Sequence, residues 1–130
     1  MQTGSAGSVS RFKISIEIQN KGSASAELVR HLAPQTIGII LKCLPLQDRV
    51  HRYIDKFIYI GTGLIIGPEK QRSRFHRGDI AYLTSNSSIC IFTQDATVQP
   101  MNSLGVITSD LKVIESSQPG DIMIIKRLEA

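Results

Sequence analysis

The sequence predicts an all-β domain, a closed barrel or a sandwich, with few helices. Three observations carry this expectation. The run FKISIEI after Arg11 alternates apolar and polar residues with period two, the pattern of a half-buried strand. Beyond residue 49, short strand-like runs follow one another with breakers such as Gly67-Pro68 and Gln118-Pro119-Gly120 between them. Only one segment repeats its apolar residues at clear helical spacing, and many short strands with few helices favour barrel or sandwich architectures.

Taken in order, residues 1–10, MQTGSAGSVS, are small or polar apart from Met1 and Val9 and bury too little to offset the entropy of ordering, so they are expected to be a loose tail. Asn20-Lys21-Gly22 supplies turn chemistry between FKISIEI and SASAELV, which predicts a hairpin. A helix over 34–43 follows. Pro34 suits its first turn, Ile37, Ile40, Leu41 and Leu44 form its apolar stripe, and Pro45 stops it. The runs VHRY, FIYIG, GDIAYLT, SICIFT, SLGVIT and DIMIIKRL are the remaining strands. A short helix over 110–116 is expected from Ser109 or Asp110, whose side-chain oxygens suit a cap. Gly78-Asp79-Ile80 and Gly120-Asp121-Ile122 read as one turn-into-strand device used twice.

The chain of 130 residues, 42% hydrophobic, fits a single domain from residue 11 to 130. Its formal charge of +4 is well below that of a dedicated nucleic-acid binder, so nucleic acid is not an expected partner. Cys43 and Cys90 sit inside apolar runs and are read as reduced, buried thiols. There is no disulfide framework, no metal-ligand spacing and no cofactor motif. No apolar run reaches the roughly 18 residues of a membrane span, and the N-terminus has no signal-peptide order. The expected location is cytoplasmic, and the oligomeric state is left open.

Several motifs invite sharper readings. Arg77-Gly78-Asp79 spells an adhesion tripeptide but is read as an ordinary strand entry. The glycines of Gly61-Thr62-Gly63 through Gly67 lack the Lys-Ser or Lys-Thr of a phosphate loop. Lys70-Gln71-Arg72-Ser73-Arg74-Phe75-His76-Arg77 carries four cations and one aromatic, which reads as a solvated loop, or alternatively as a phosphate-contacting patch with Phe75 stacking on a base. Arg52, in the middle of RVHRYIDKFIYIG, either pairs with Asp48, Asp55 or Asp79 or meets a ligand.

Two stretches together resemble the cyclophilins. Ala33-Pro34-Gln35-Thr36 is similar to that family's helix start, and Val50-His51-Arg52-Tyr53-Ile54 with Phe57-Ile58 is similar to its Phe-His-Arg strand and the Phe-Met that follows. The chain from about Arg11 is closer to the small prokaryotic cyclophilin-like proteins, through residues 49–59, Gly78 to Tyr82, and Ile89-Cys90-Ile91-Phe92. The resemblance implies a closed cyclophilin-like barrel capped by one or two short helices. It also implies that Arg52 matches the catalytic arginine of the isomerases and Phe57 a wall of the proline pocket. The family's glutamine, aromatic and histidine fall on or near Ile60, Cys90 and Met101, which removes the polar groups that orient a substrate. The expected function is therefore a binding module for a peptide or small anionic ligand in a groove around Arg52, Phe57, Ile60, Cys90 and Met101. The alternative is a weak peptidyl-prolyl isomerase using Arg52.

Overall fold

The computed structural model of the chain describes residues 10–128. The tail expected at 1–10 lies outside the described residues except for Ser10, whose carbonyl accepts from the Arg30 amide at 3.0 Å. Ten strands and two α-helices follow in chain order: β1 (Arg11–Ile18), β2 (Gly22–Val29), a single 3-10 turn (Arg30–Leu32), α1 (Pro34–Cys43), β3 (Leu46–Arg49), β4 (His51–Tyr53), β5 (Phe57–Gly61), β6 (Gln71–Phe75), β7 (Asp79–Leu83), β8 (Ser88–Phe92), β9 (Ala96–Ile107), α2 (Lys112–Glu115) and β10 (Ile122–Arg127). The hairpin β1–β2 and helix α1 stand where their patterns place them.

All strands belong to one sheet, in the order β3-β10-β1-β2-β9-β7-β8-β5-β4, with β6 added on β9. The closed barrel is corrected here. The hydrogen-bonded order ends at β3 on one side and β4 on the other, and no ladder joins these two ends. They are nevertheless successive pieces of chain. Residues 46–49 pair with β10 and residues 51–53 pair with β5, with Val50 between them bonded to Asp121 and Gly120. The two ends also meet where a Cβ added to Gly61 of β5 would lie 3.3 Å from the Asp48 carboxylate of β3.

The principal core lies on the inner face of this sheet. Ile14, Ile16 and Ile18 of β1, Ala24, Ala26 and Leu28 of β2, and Ile58, Ile60, Ile80, Tyr82, Ile89 and Ile91 all enter it, with Ile37 and Ile40 of α1 packed on them. Burying each such aliphatic side chain contributes roughly 1.5–3 kcal/mol. Leu41 and Leu44 pack against its margin, so the stripe read from the sequence is the face that docks.

Two strands differ from the expectation. Residues 71–75 are not a solvated loop; they form β6, in which Arg72 and Arg74 are exposed, Gln71 and Ser73 half-buried and Phe75 buried. Strand β9 begins at Ala96, well before SLGVIT, and carries register shifts between Thr97 and Met101 and between Ser103 and Gly105. At the second of these, Gly105 lies so close to β2 that a Cβ would overlap the Glu27 carbonyl oxygen and reach 3.0 Å from the Leu28 Cα. The twin motifs at Gly78 and Gly120 do build the same turn. Both glycines have φ of 95°, and the carboxylates of Asp79 and Asp121 accept from the amides of His76 and Gln118 at 2.8 and 2.7 Å.

Helix α1 carries no side-chain cap of its own, since its N-cap is Ala33. Glu69, from the loop before β6, supplies one across the fold. Its carboxylate accepts from the Gln35 amide at 3.0 Å, the Thr36 amide at 2.8 Å and the Thr36 hydroxyl at 2.7 Å. Burial pushes its pKa up, but these donors and the nearby Lys70 together hold it below the ordinary carboxylate range. The same loop is clamped by Asn102, fully buried on β9. Its Oδ1 accepts from the Glu69 amide and the Gln71 side chain, and its Nδ2 donates to Thr36 Oγ1 and the Gly67 carbonyl, at 2.9–3.1 Å.

Gly105→Ala is expected to cost at least about 3 kcal/mol, because a backbone neighbour cannot step aside as a side chain can; chemical denaturation measures it, and a loss below 1 kcal/mol contradicts the close approach. Glu69→Gln is expected to lower stability at neutral pH by about 1 kcal/mol, the usual worth of a helix cap. Because the folded pKa is depressed, the carboxylate's contribution is present above its unfolded pKa and is lost as pH falls through the folded one. The gap between wild type and variant therefore closes in acid, which denaturation midpoints followed against pH will show.

Candidate functional site

Alternation along β5, β8 and β7 gives the sheet a second apolar face, turned away from the principal core. Phe57 pairs with Phe92, and Cys90 pairs with both Tyr59 and Ala81. Strand β6 brings Phe75 and β9 brings Met101 to the same side, so that Phe57, Phe75, Ala81, Leu83, Cys90, Phe92 and Met101 form an outer cluster. This explains why all five residues of β8 are buried and its run SICIF shows no period of two. The rings of Tyr53, Phe57, Phe92 and Phe75 follow one another at centroid distances of 5.1, 5.2 and 4.7 Å. Such offset and tilted contacts are each worth about 0.5–1.5 kcal/mol beyond burial. The row begins at the tip of the β4–β5 hairpin, where Tyr53 and Ile54 are 46% and 64% exposed, and ends under β6.

The structure divides the five residues singled out in the sequence. Phe57, Cys90 and Met101 meet in the outer cluster, each at most 4% exposed. Ile60 lies on the opposite face, in the principal core. Arg52 pairs across the hairpin with Ile58, not with Phe57, and so points to the inner side. Its guanidinium donates to the Ser117 carbonyl at 3.0 Å, just beyond α2, and to the carbonyl of Glu115, the last residue of α2, at 3.5 Å. The partner is therefore backbone oxygen and neither Asp48, Asp55 nor Asp79. Cations favour a helix C-terminus because its last carbonyls lack intrahelical donors. Arg77 fastens the same helix from the other side, through an ion pair with the Glu115 carboxylate at 2.7 Å.

The basic segment is also resolved into separate tasks. Lys70 donates to the His31 carbonyl, Arg77 is paired with Glu115, and Phe75 is fully buried and not available to stack on a base. The Arg72 guanidinium lies 5.6 Å from the centre of the Phe75 ring and covers it. Arg74 faces solvent and makes no ion pair among the described residues.

Beside Arg74 opens a hollow of about 460 Å³ lined by Arg74, Phe75, His76, Asp95, Ala96 and Thr97. It lies between the end of β6 and the start of β9, where Ala96 pairs with Phe75 and Thr97 with Arg74. The Asp95 carboxylate accepts from the Arg77 amide at 2.8 Å and stands 3.8 Å from His76 Nδ1. The amide first, then His76, holds its pKa below the ordinary carboxylate range. Asp95 is thus held as an anion by the Arg77 amide, and Arg74 is the arginine that lines the hollow with it. Nothing local in the sequence marks this site, because Asp95 and His76 are brought together by the β6–β9 ladder.

Among the described residues no cluster of three or more His, Cys, Asp or Glu side chains is placed to hold a metal. No helix among them is long and apolar enough to cross a membrane. Cys90 is fully buried and burial pushes its thiol pKa far up, whereas Cys43 is only half-buried, which corrects the expectation that both are shielded.

A family model described as cyclophilin-like matches residues 12–126. A hypothetical protein from Archaeoglobus fulgidus, solved in solution, is 22% identical with a TM-score of 0.70, over 91% of this chain and 95% of that one. McbB, solved in complex with tryptophan, is 14% identical with a TM-score of 0.74; the match covers 90% of this chain but only 45% of McbB. At these identities the likeness is one of fold. No curated protein matches the chain.

A thiol reagent under native conditions is expected to modify Cys43 well before Cys90, since the Cys90 sulfur is exposed only when the outer cluster opens. Equal rates would mean that β6 does not hold that cluster closed.

Proposed function

Because the chain belongs to the cyclophilin-like family, we propose that it keeps the family's fold as a binding module for a small anionic ligand and not its isomerase chemistry. The observation that carries this reading is the hollow of about 460 Å³ with Arg74 among its lining residues. An arginine fork suits a carboxylate, which it meets through two parallel N–H donors. Thr97, paired with Arg74 across the ladder, lines the same hollow. Binding at an open, exposed site of this kind is weak, with Kd about 1 mM, because solvent screens the pair.

Isomerisation asks for more. The amide barrier is about 18–20 kcal/mol, and lowering it takes a cation aimed at the prolyl carbonyl in a shaped, dry slot. Here Arg52 and Phe57 stand on opposite faces of one hairpin, and Phe57, Cys90 and Met101 are covered by β6. A substrate lying on Phe57 would not meet the Arg52 guanidinium. The role we assign to Arg52 is the anchoring of α2.

The test is an amide chemical-shift titration with acetate, phenylacetate and tryptophan, the last chosen for its size and carboxylate and because the fold neighbour McbB was solved with it. Shifts are expected at residues 74–76 and 95–97 and should weaken about tenfold in Arg74→Ala. Arg52→Ala should leave them unchanged while costing about 1 kcal/mol of stability. Shifts that survive Arg74→Ala, or none at these residues, would refute the reading.

A further inference from the structure

Strand β6 has a free side. It joins the sheet through β9 alone, and among the described residues none of its backbone groups bonds to other backbone outside that ladder. The Arg74 carbonyl accepts from the Arg72 guanidinium at 3.5 Å, and the other backbone groups of this side have no protein partner among the described residues. Unpaired amides and carbonyls on a strand edge are a template for one more strand.

The side chains on this edge decide which strand it accepts. Arg72 and Arg74 are both exposed and stand two residues apart along the strand, with the Arg72 guanidinium over the Phe75 ring. Two copies of the chain pairing antiparallel about Ser73 would set Arg72 of one copy opposite Arg74 of the other, and like charges directly opposite are destabilising. The same two arginines attract a strand that carries carboxylates at alternate positions. A basic edge thus rejects itself and selects an acidic partner, the two sides of specificity.

We propose that the free edge of β6 docks an extended acidic peptide segment, which adds to the sheet as a further strand with alternate carboxylates against Arg72 and Arg74. The recognition combines backbone pairing, which fixes the extended form, with charge, which selects sequence. It shares Arg74 with the hollow and differs from it at Arg72, which does not line that site.

The probe is a fluorescein-labelled, capped peptide of alternating glutamate and valine, about six residues long to match a short strand, with a lysine-valine peptide of the same length as control. The acidic peptide is expected to bind the full chain by fluorescence anisotropy, to slow amide hydrogen exchange at residues 71–75, and to weaken as salt rises. The lysine peptide is expected not to bind. Arg72→Glu should weaken the acidic peptide roughly fivefold, the scale of a reversed cross-strand charge pair, while leaving acetate shifts at residues 95–97 intact. A glutamate-valine peptide N-methylated at alternate amides keeps its charge and loses its donors. If it binds as well as the parent, charge alone is responsible and strand addition is wrong. Protection that appears elsewhere than 71–75, or self-association of the chain through this edge, overturns the proposal as well.

Discussion

Asn102 sets the arrangement on which the rest of the fold depends. A fully buried amide has two donors and two acceptor positions to satisfy, and each left open costs about 1–3 kcal/mol. Here all four are used, on Thr36, Gly67, Glu69 and Gln71. Those four partners belong to α1, to the loop over 62–70 and to β6, so one side chain fixes the position of three elements against β9. Glu69 then closes the circuit by capping α1. Tyr82, also buried, holds the far end of the same loop through its hydroxyl, which donates to the Leu64 carbonyl at 2.6 Å. Between these two fastenings Ile65 stands almost wholly in solvent, 98% exposed, as the tip of a loop anchored on both sides.

A consequence of fixing β6 is that the sheet acquires its second apolar face. Phe75 and Met101 can cover Phe57, Cys90 and Phe92 only because β6 is held along β9 with its arginines outward. The surface that would have to stay open for a proline is thereby filled by the protein's own rings. At β6 the hollow beside Arg74 and the outer backbone edge of the strand remain accessible. The binding chemistry we propose for this chain is accordingly displaced from the middle of the sheet to its border.

The other end is held by two arginines with unlike partners. Helix α2 has only four residues, too short to be stable by itself. Arg52 engages the carbonyls of Glu115 and of Ser117 just beyond it, and Arg77 the Glu115 carboxylate, so two arginines that look functional in the sequence hold this end of the chain. Asp110 assists from the N-terminal side, accepting from the Lys112 amide at 2.8 Å.

The sequence by itself determined the strand-rich class, the β1–β2 hairpin, the bounds and docking face of α1, the repeated glycine-aspartate turn and the burial of Cys90, because each follows from local period, propensity or turn chemistry. It also carried the family, through motifs that lie in order along the chain. Only the tertiary structure decided the rest. Period two says that Arg52 and Phe57 sit on faces set by their register, but the tight turn at residues 54–56 reverses the chain, and register across that turn puts Arg52 with Ile58 on the inner side. The polarity of Gln71-Arg72-Ser73-Arg74 reads as a loop until Asn102 and β9 supply partners for its backbone. Glu69 caps a helix that begins 35 residues before it in sequence order, and Asp95 meets His76 across a ladder. Where the sheet's two ends lie is likewise fixed by which strands pair. Such pairings are choices among distant segments, and no local pattern of residues contains them.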